Sequence, residues 1–154
     1  MAQAEPGAVP IDDGACYACG PHNPDGLRLR FEPDGADGAR ATVTLDAHLQ
    51  GYRGIAHGGI VMLLLDEAMA YASGYAGDRV MTAAVAVRFR AAVPLGVPLT
   101  LRGRVVGKRA KMLKVEASVR DAAGTLLATA EGSFASLGPV EPGRFGNPGA
   151  RETV

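Results

Sequence analysis

One apolar stretch, residues 54–75, constrains the fold of this 154-residue chain more than any other part of it. Residues 60–65 are six apolar side chains in succession, and alanines and a methionine continue the pattern beyond them. A helix that is apolar on nearly every face is expected to be buried. Asp66 and Glu67 lie within this helix. A buried carboxylate needs a partner, a water molecule or a catalytic role, because burying an unpaired ion is costly.

The rest of the chain alternates between strand-like and turn-like segments. Two alternating segments precede the helix and four follow it, at residues 27–31, 41–45, 80–90, 99–106, 113–119 and 126–134. Because no second long helix is present to connect parallel strands, we predict an α+β fold in which one antiparallel sheet wraps around one central helix. In the strand at 80–90, strict alternation places Val85, Val87 and Phe89 on one face and Thr82, Ala84, Ala86, Arg88 and Arg90 on the other.

Charge and hydropathy limit the possible partners. Lys plus Arg and Asp plus Glu both total 16, so no net field favours nucleic acid or an anionic membrane. No apolar run is long enough to span a bilayer, and the N-terminus lacks the basic and hydrophobic regions of a signal peptide. We therefore predict a cytoplasmic protein with no nucleic-acid or membrane partner. Its domain is expected at residues 27–137, between an N-terminal extension (1–26) and a flexible C-terminal tail (138–154).

Cys16 and Cys19 have the spacing of half a four-cysteine zinc site or of a redox pair. The chain contains no second cysteine pair, so a complete metal site would need His22, His48 or a second subunit. The sequence therefore favours reduced structural thiols in a tight turn over a metal site, and no metal ligand is assigned.

The start of the predicted helix, at Gly58 and Gly59, has the chemistry of an oxyanion site. Glycines allow close approach to the free N–H groups of a helix N-terminus, whose dipole favours negative charge; a sharp turn into the helix is the alternative interpretation. Gly59 and Asp66 are seven residues apart, about 10 Å along a helix. One helix therefore cannot present both groups to one carbon atom. If they cooperate, they come from two antiparallel copies of the chain, which predicts a dimer.

The run His57-Gly58-Gly59, the six apolar residues after it and Asp66 resemble the signature of hot-dog-fold acyl-CoA thioesterases of the phenylacetic-acid-degradation (PaaI-like) type. Residues 51–56 and 87–96 also resemble that family, so the resemblance covers about residues 25–136. It implies hydrolysis of an acyl-CoA thioester to a free acid and coenzyme A, without a cofactor. It also agrees with a homodimer, or a dimer of dimers, that has its active sites at the subunit interface.

The resemblance implies a role for each matching residue. Asp66 matches the general base or nucleophile, and Gly59 matches the amide that binds the oxyanion, with Gly58 beside it. His57 matches the residue that supports this loop, and Thr82 a hydroxyl that positions the attacking water. Gln50 stands in the preceding loop where that family often has an asparagine that positions the carbonyl.

Five cations are candidates for binding the phosphates of coenzyme A. Lys108, Arg109 and Lys111 lie close together in a predicted hairpin, and Arg88 and Arg90 compete with them. The hairpin is alternatively a solvated turn.

Several functional alternatives stay open at this point. Asp66 is alternatively a structural carboxylate, or Glu67 is the true acid. A non-catalytic acyl-CoA binding or sensing protein on the same fold is the main rival to the enzyme. A hydratase is disfavoured, because no Asp and His lie a few residues apart.

Overall fold

A computed structural model describes residue 8 and residues 10–141 of the chain. Two strands precede a long helix and four strands follow it, as predicted. The elements are β1 Glu32–Pro33, β2 Gly38–Thr44, a short 3₁₀ helix Ala47–Leu49, α1 Gly58–Tyr75, β3 Asp78–Phe89, β4 Pro98–Arg109, β5 Met112–Arg120 and β6 Leu126–Pro139.

The six strands form one antiparallel sheet in the order β1-β2-β4-β5-β6-β3, and α1 packs across one face of it. The helix approaches the sheet closely at Gly103, where an added Cβ would overlap the Ala68 carbonyl. Fully buried side chains from both layers form the core, among them Leu64, Leu65, Met69, Leu101 and Phe134. The predicted architecture, a single sheet around a single helix, is therefore confirmed.

The predicted strand at residues 27–31 is wrong, because this segment packs over α1 instead of joining the sheet. Arg28 has a φ of 51°, a left-handed conformation that interrupts an extended strand. The Leu29 N–H donates to the Ala18 carbonyl at 2.8 Å, and Phe31 stacks on Tyr71 of the helix at 4.6 Å. The Tyr75 hydroxyl donates to the Phe31 carbonyl at 2.8 Å. Ala18, which belongs to the predicted N-terminal extension, is buried in the core as well.

The predicted faces of β3 are also wrong at Thr82. The register pairs Thr82 with Phe134 but Ala84 with Ser133, so Ala83 is an extra residue, a β-bulge. Directly paired residues share a face of the sheet. Thr82 therefore points to the same side as the buried Phe134, towards the helix, whereas strict alternation had placed it on the face of Ala84.

The boundaries of the domain differ slightly from those expected. β6 extends the sheet through Pro139, beyond the predicted end of the domain at residue 137. Residues 142–154 of the predicted tail, and residues 1–7 and 9 of the extension, lie outside the described residues. Among the described residues, no helix has the length and apolar character needed to cross a membrane.

Candidate active site

Asp66 and Thr82 meet between the helix and the edge strand. The Thr82 hydroxyl donates a hydrogen bond of 2.8 Å to Asp66 Oδ1. Asp66 is half-buried on α1, and Thr82 is exposed on β3. The bulge at Ala83 makes this contact possible, because it turns Thr82 towards the helix. Asp66 and Thr82 are thus one of two pairs of candidate catalytic residues that are in direct contact.

The environment of Asp66 makes its carboxylate more basic than that of an ordinary aspartate. Burial disfavours the charged form and raises the pKa of Asp66 above its usual 3.8, while the hydrogen bond from Thr82 lowers it in part. A carboxylate with a raised pKa is a stronger proton acceptor. The direction of the shift therefore suits a general base.

Glu67 points away from this pair. It is the next residue of the helix, about 100° further round, and it contacts Cys19 of the N-terminal segment, whose thiol donates to the Glu67 carboxylate. Glu67 therefore does not replace Asp66 as the acid opposite Thr82.

His57 and Gly59 meet at the N-terminus of α1. His57 is the N-cap residue, and its Nδ1 accepts a hydrogen bond of 3.0 Å from the Gly59 N–H. This contact caps the N-terminus of the helix. It also occupies the amide that was predicted to bind an oxyanion, so a substrate oxygen at this position has to compete with His57 for the Gly59 N–H.

Two exposed apolar side chains, Met62 and Phe89, lie between the Asp66–Thr82 pair and the His57–Gly59 pair. We call them the apolar strip. Met62 lies one turn before Asp66 and is 44% exposed. Phe89 is 52% exposed, and its ring lies 3.5 Å from the position of a Cβ at Gly58. β3 itself is an edge strand, paired with β6 and with no other described strand. Exposed apolar side chains beside an open strand edge are typical of an interaction surface.

The side chain of Gln50 is hydrogen-bonded within its own loop. Its Oε1 accepts a bond of 3.4 Å from the Gly54 N–H. The predicted role of Gln50 in positioning a substrate carbonyl stays a prediction.

Lys108 of the predicted cation cluster is engaged by a carboxylate. Its Nζ donates to both oxygens of Asp78, at 2.7 and 2.8 Å, and Ser136 donates to the same carboxylate at 2.7 Å. Burial raises the pKa of Asp78, but the hydrogen bonds from Lys108 and Ser136 and the charge of Lys108 outweigh it, so the net shift is downward. Periodicity contains no signal for this network, because its members are far apart in the sequence. Arg109 and Lys111 are exposed beside it.

Arg88 and Arg90 lie near the other end of β3. They line a groove of about 530 Å³ on the outer face of the sheet, together with further arginines and carboxylates: Arg102, Arg104, Arg120, Asp34, Glu116 and Glu131. Arg88 lies ten residues after Asp78, the partner of Lys108, along β3, or roughly 33 Å away. The two predicted groups of cations therefore cannot bind the same phosphate from one chain.

A protein-family model and a solved structure both match this chain. A model of the thioesterase superfamily matches residues 53–128, which contain His57, Gly59, Asp66 and Thr82. A solved thioesterase superfamily protein shares 32% identity with a TM-score of 0.74, over 78% of this chain and 62% of its own length. The chain thus spans about three fifths of that relative.

Two further solved structures show the same fold at lower identity. The PaaI protein of the E. coli phenylacetic acid degradation operon has 21% identity and a TM-score of 0.68, with 74% of this chain and 83% of PaaI covered. A Streptococcus mutans protein bound to acetyl-CoA has 20% identity and a TM-score of 0.69, with 73% and 91% covered. These matches confirm the predicted hot-dog fold. A comparison with curated proteins found no match.

Proposed function

We propose, for a chain whose residues 53–128 match the thioesterase superfamily, the hydrolysis of an acyl-CoA thioester to a free acid and coenzyme A. The hydrogen bond between Thr82 and Asp66 is the observation that carries this proposal. It joins a carboxylate of raised pKa to a hydroxyl at the edge of an apolar strip, an arrangement suited to activating water beside an acyl chain.

The reaction follows from the two side chains. Asp66 accepts a proton from a water molecule held by the Thr82 hydroxyl, and the water oxygen bonds to the thioester carbon. The tetrahedral intermediate collapses, the C–S bond breaks, and the proton from Asp66 passes to the thiolate of coenzyme A. Direct attack by the Asp66 carboxylate is the second route. It forms an acyl anhydride that water then hydrolyses to the same two products.

The oxyanion donor comes from a second copy of the chain. Gly59 and Asp66 of one helix are about 10 Å apart along its axis, so the Gly59 amide of a neighbouring subunit has to face Asp66. Pairing through the open edge of β3 would bring the two helices together and cover the apolar strip. The thioester oxygen then replaces His57 Nδ1 as the acceptor of the Gly59 N–H.

Coenzyme A as the carrier is supported by relatives of the same fold. The S. mutans structure holds acetyl-CoA, and a Streptococcus pneumoniae thioesterase protein, at 18% identity with a TM-score of 0.69, was solved with coenzyme A. The rival function is non-catalytic binding or sensing of acyl-CoA. Retention of Asp66 with a hydroxyl partner favours the enzyme, because a binding protein has no need for a basic carboxylate beside its ligand.

A hydrolysis screen tests the proposal. Purified protein is offered short-chain, long-chain and aryl acyl-CoAs, and the released thiol is measured. We expect turnover of at least one class, and a fall in kcat of about 10²–10⁴ for Asp66→Asn, which keeps the shape of the side chain but removes its basicity. Asp25→Asn, at an exposed aspartate of the N-terminal segment, is the control and should keep the parental rate. Binding of acyl-CoA without turnover would favour the sensing protein, and parental activity of Asp66→Asn would refute the role of Asp66.

A further inference from the structure

A second cluster of reactive side chains lies outside the candidate active site. The Sγ atoms of Cys16 and Cys19 and a carboxylate oxygen of Glu67 all lie within 4.8 Å of one another. Cys16 is exposed, whereas Cys19 and Glu67 are half-buried. The sequence showed only half a metal site here, because Glu67 is 48 residues beyond Cys19 and belongs to another element. The fold supplies it as the third ligand.

We propose that Cys16, Cys19 and Glu67 bind one Zn²⁺ ion, with a water molecule in the fourth position. Tetrahedral zinc has Zn–S bonds of about 2.3 Å and Zn–O bonds of about 2.1 Å, which separates its ligand atoms by roughly 3.5–3.8 Å. The three donors are thus within a small side-chain adjustment of that geometry. Thiolates favour zinc over magnesium and calcium, and zinc also accepts a carboxylate. Each thiol releases its proton to solvent when the ion binds.

The backbone already holds the two cysteines in a tight turn. The Gly20 N–H donates to the Cys16 carbonyl at 2.8 Å, and a side chain at Gly20 would overlap the backbone of Gly14 and Cys16. Ala18, between the two cysteines, is 1% exposed and anchors the turn in the core. The turn therefore keeps both sulfur atoms near the helix without further ordering of the chain.

Neighbouring side chains also orient the ligands. Tyr71, one helical turn after Glu67, donates a hydrogen bond to the Cys19 sulfur and stacks on Phe31. Groups that contact metal ligands in this way restrict their orientation and strengthen metal binding. The Cys19 thiol and the Glu67 carboxylate are hydrogen-bonded to each other, so both already point to the same place.

The ion would fasten the N-terminal segment to the helix that carries the candidate base. Glu67 follows Asp66 directly, but the two side chains face different neighbours, Cys19 and Thr82. We assign the metal a structural role, since the cluster of Cys16, Cys19 and Glu67 lies on a different side of α1 from Thr82. This role does not depend on the proposed thioesterase activity, and its test reads metal binding directly.

The test uses the full chain, purified under reducing conditions without chelator. We expect about one zinc per chain by elemental analysis. Exchange for Co²⁺ should produce a thiolate-to-cobalt charge-transfer band and the intense visible bands of a tetrahedral site. Glu67→Gln and Cys16→Ser should each weaken Co²⁺ binding by more than about 100-fold, because even groups behind the ligands contribute 10–100-fold. Cys16 is preferred to the half-buried Cys19 because its replacement disturbs the core less.

His22→Ala is the matched control. His22 is exposed in the same segment, and its Nδ1 lies 3.1 Å from the Asp13 carbonyl, not in the cluster. We expect this variant to bind Co²⁺ like the parent, and circular dichroism should show that all variants are folded. Protein that contains no zinc and gives no charge-transfer band would overturn the proposal. So would parental affinity in Glu67→Gln, or loss of binding in His22→Ala alone, because the ligand set would then be different.

Discussion

The Thr82 hydroxyl lies 2.8 Å from Asp66 Oδ1 because one extra residue, Ala83, reverses the side of β3 on which Thr82 lies. Without that bulge, Thr82 would lie on the outer face with Ala84, Ala86 and Arg88, and Asp66 would have no hydroxyl beside it. Bulges are common next to active sites because they redirect a side chain without breaking the sheet. The pair can be tested through stability, pH dependence and oligomeric state.

Asp66→Asn should leave the protein as stable as the parent at neutral pH, or more stable. Because the pKa of Asp66 is raised in the folded chain, the folded state holds this proton more tightly than the unfolded state. The resulting stabilisation is complete below the ordinary value of 3.8 and is lost as the pH rises through the folded pKa. Because asparagine does not ionise, the variant does not lose this stabilisation as the pH rises. Urea denaturation at neutral pH and near pH 4 measures the difference, which should shrink at the lower pH. A clear loss of stability at neutral pH would instead indicate a structural carboxylate.

Thr82→Val should move the acidic limb of the profile of kcat/KM against pH to higher pH. The Thr82 hydrogen bond lowers the pKa of Asp66, so its removal raises the pH at which Asp66 becomes an active base. Thr82→Ser keeps the hydroxyl and should keep the parental limb. A valine variant that loses rate equally at every pH would show that Thr82 acts on the substrate or water without tuning Asp66.

Phe89→Glu should convert a dimer, or a larger assembly, into an inactive monomer. Phe89 is 52% exposed in the single chain, so a charge there disturbs the monomer little but would be buried between two copies. Light scattering at micromolar concentration measures the mass. Ile11→Glu, at a side chain that is 86% exposed, is the control and should leave the assembly intact. A parent protein that hydrolyses thioesters as a monomer would contradict the shared active site.

Replacing Arg109 and Lys111 with alanine should raise KM for acyl-CoA while leaving thioesters without the nucleotide unaffected. Phosphate contacts far from the reacting carbon contribute to binding but not to the chemical step. The matched variant replaces Arg88 and Arg90 at the other end of β3. If that pair alone raises KM, the phosphates bind at the opposite end of the strand, and if neither does, both groups are ordinary surface cations.

Lys108 is tested separately, because its ion pair with Asp78 makes it part of the fold. Lys108→Met should lower the free energy of unfolding by about 1–3 kcal/mol, since it leaves a largely buried carboxylate with fewer donors. Chemical denaturation measures this loss. KM for acyl-CoA should stay at the parental value.

The sequence alone was sufficient to predict the order of the elements and the buried helix, and it singled out Asp66 as the candidate base. Each depends on local patterns. The apolar run at residues 60–65 specifies a buried helix, and alternation with turn residues specifies the strands. Asp66 is conspicuous because it interrupts that run. The signature from His57 to Asp66 can also be read from the sequence, since all of it lies in one continuous stretch within the residues that match the thioesterase superfamily.

Only the tertiary structure decided which side chains meet. The bulge at Ala83 depends on how β3 pairs with β6, about 50 residues further along the chain, and such pairing leaves no trace in periodicity. The segment 27–31 alternates like a strand, but burial of Leu29 and Phe31 against α1 holds it away from the sheet edge. The contacts of Glu67 with Cys19 and of Lys108 with Asp78 also join residues that are far apart in the sequence. Contacts between distant residues depend on packing and register, which the fold as a whole determines.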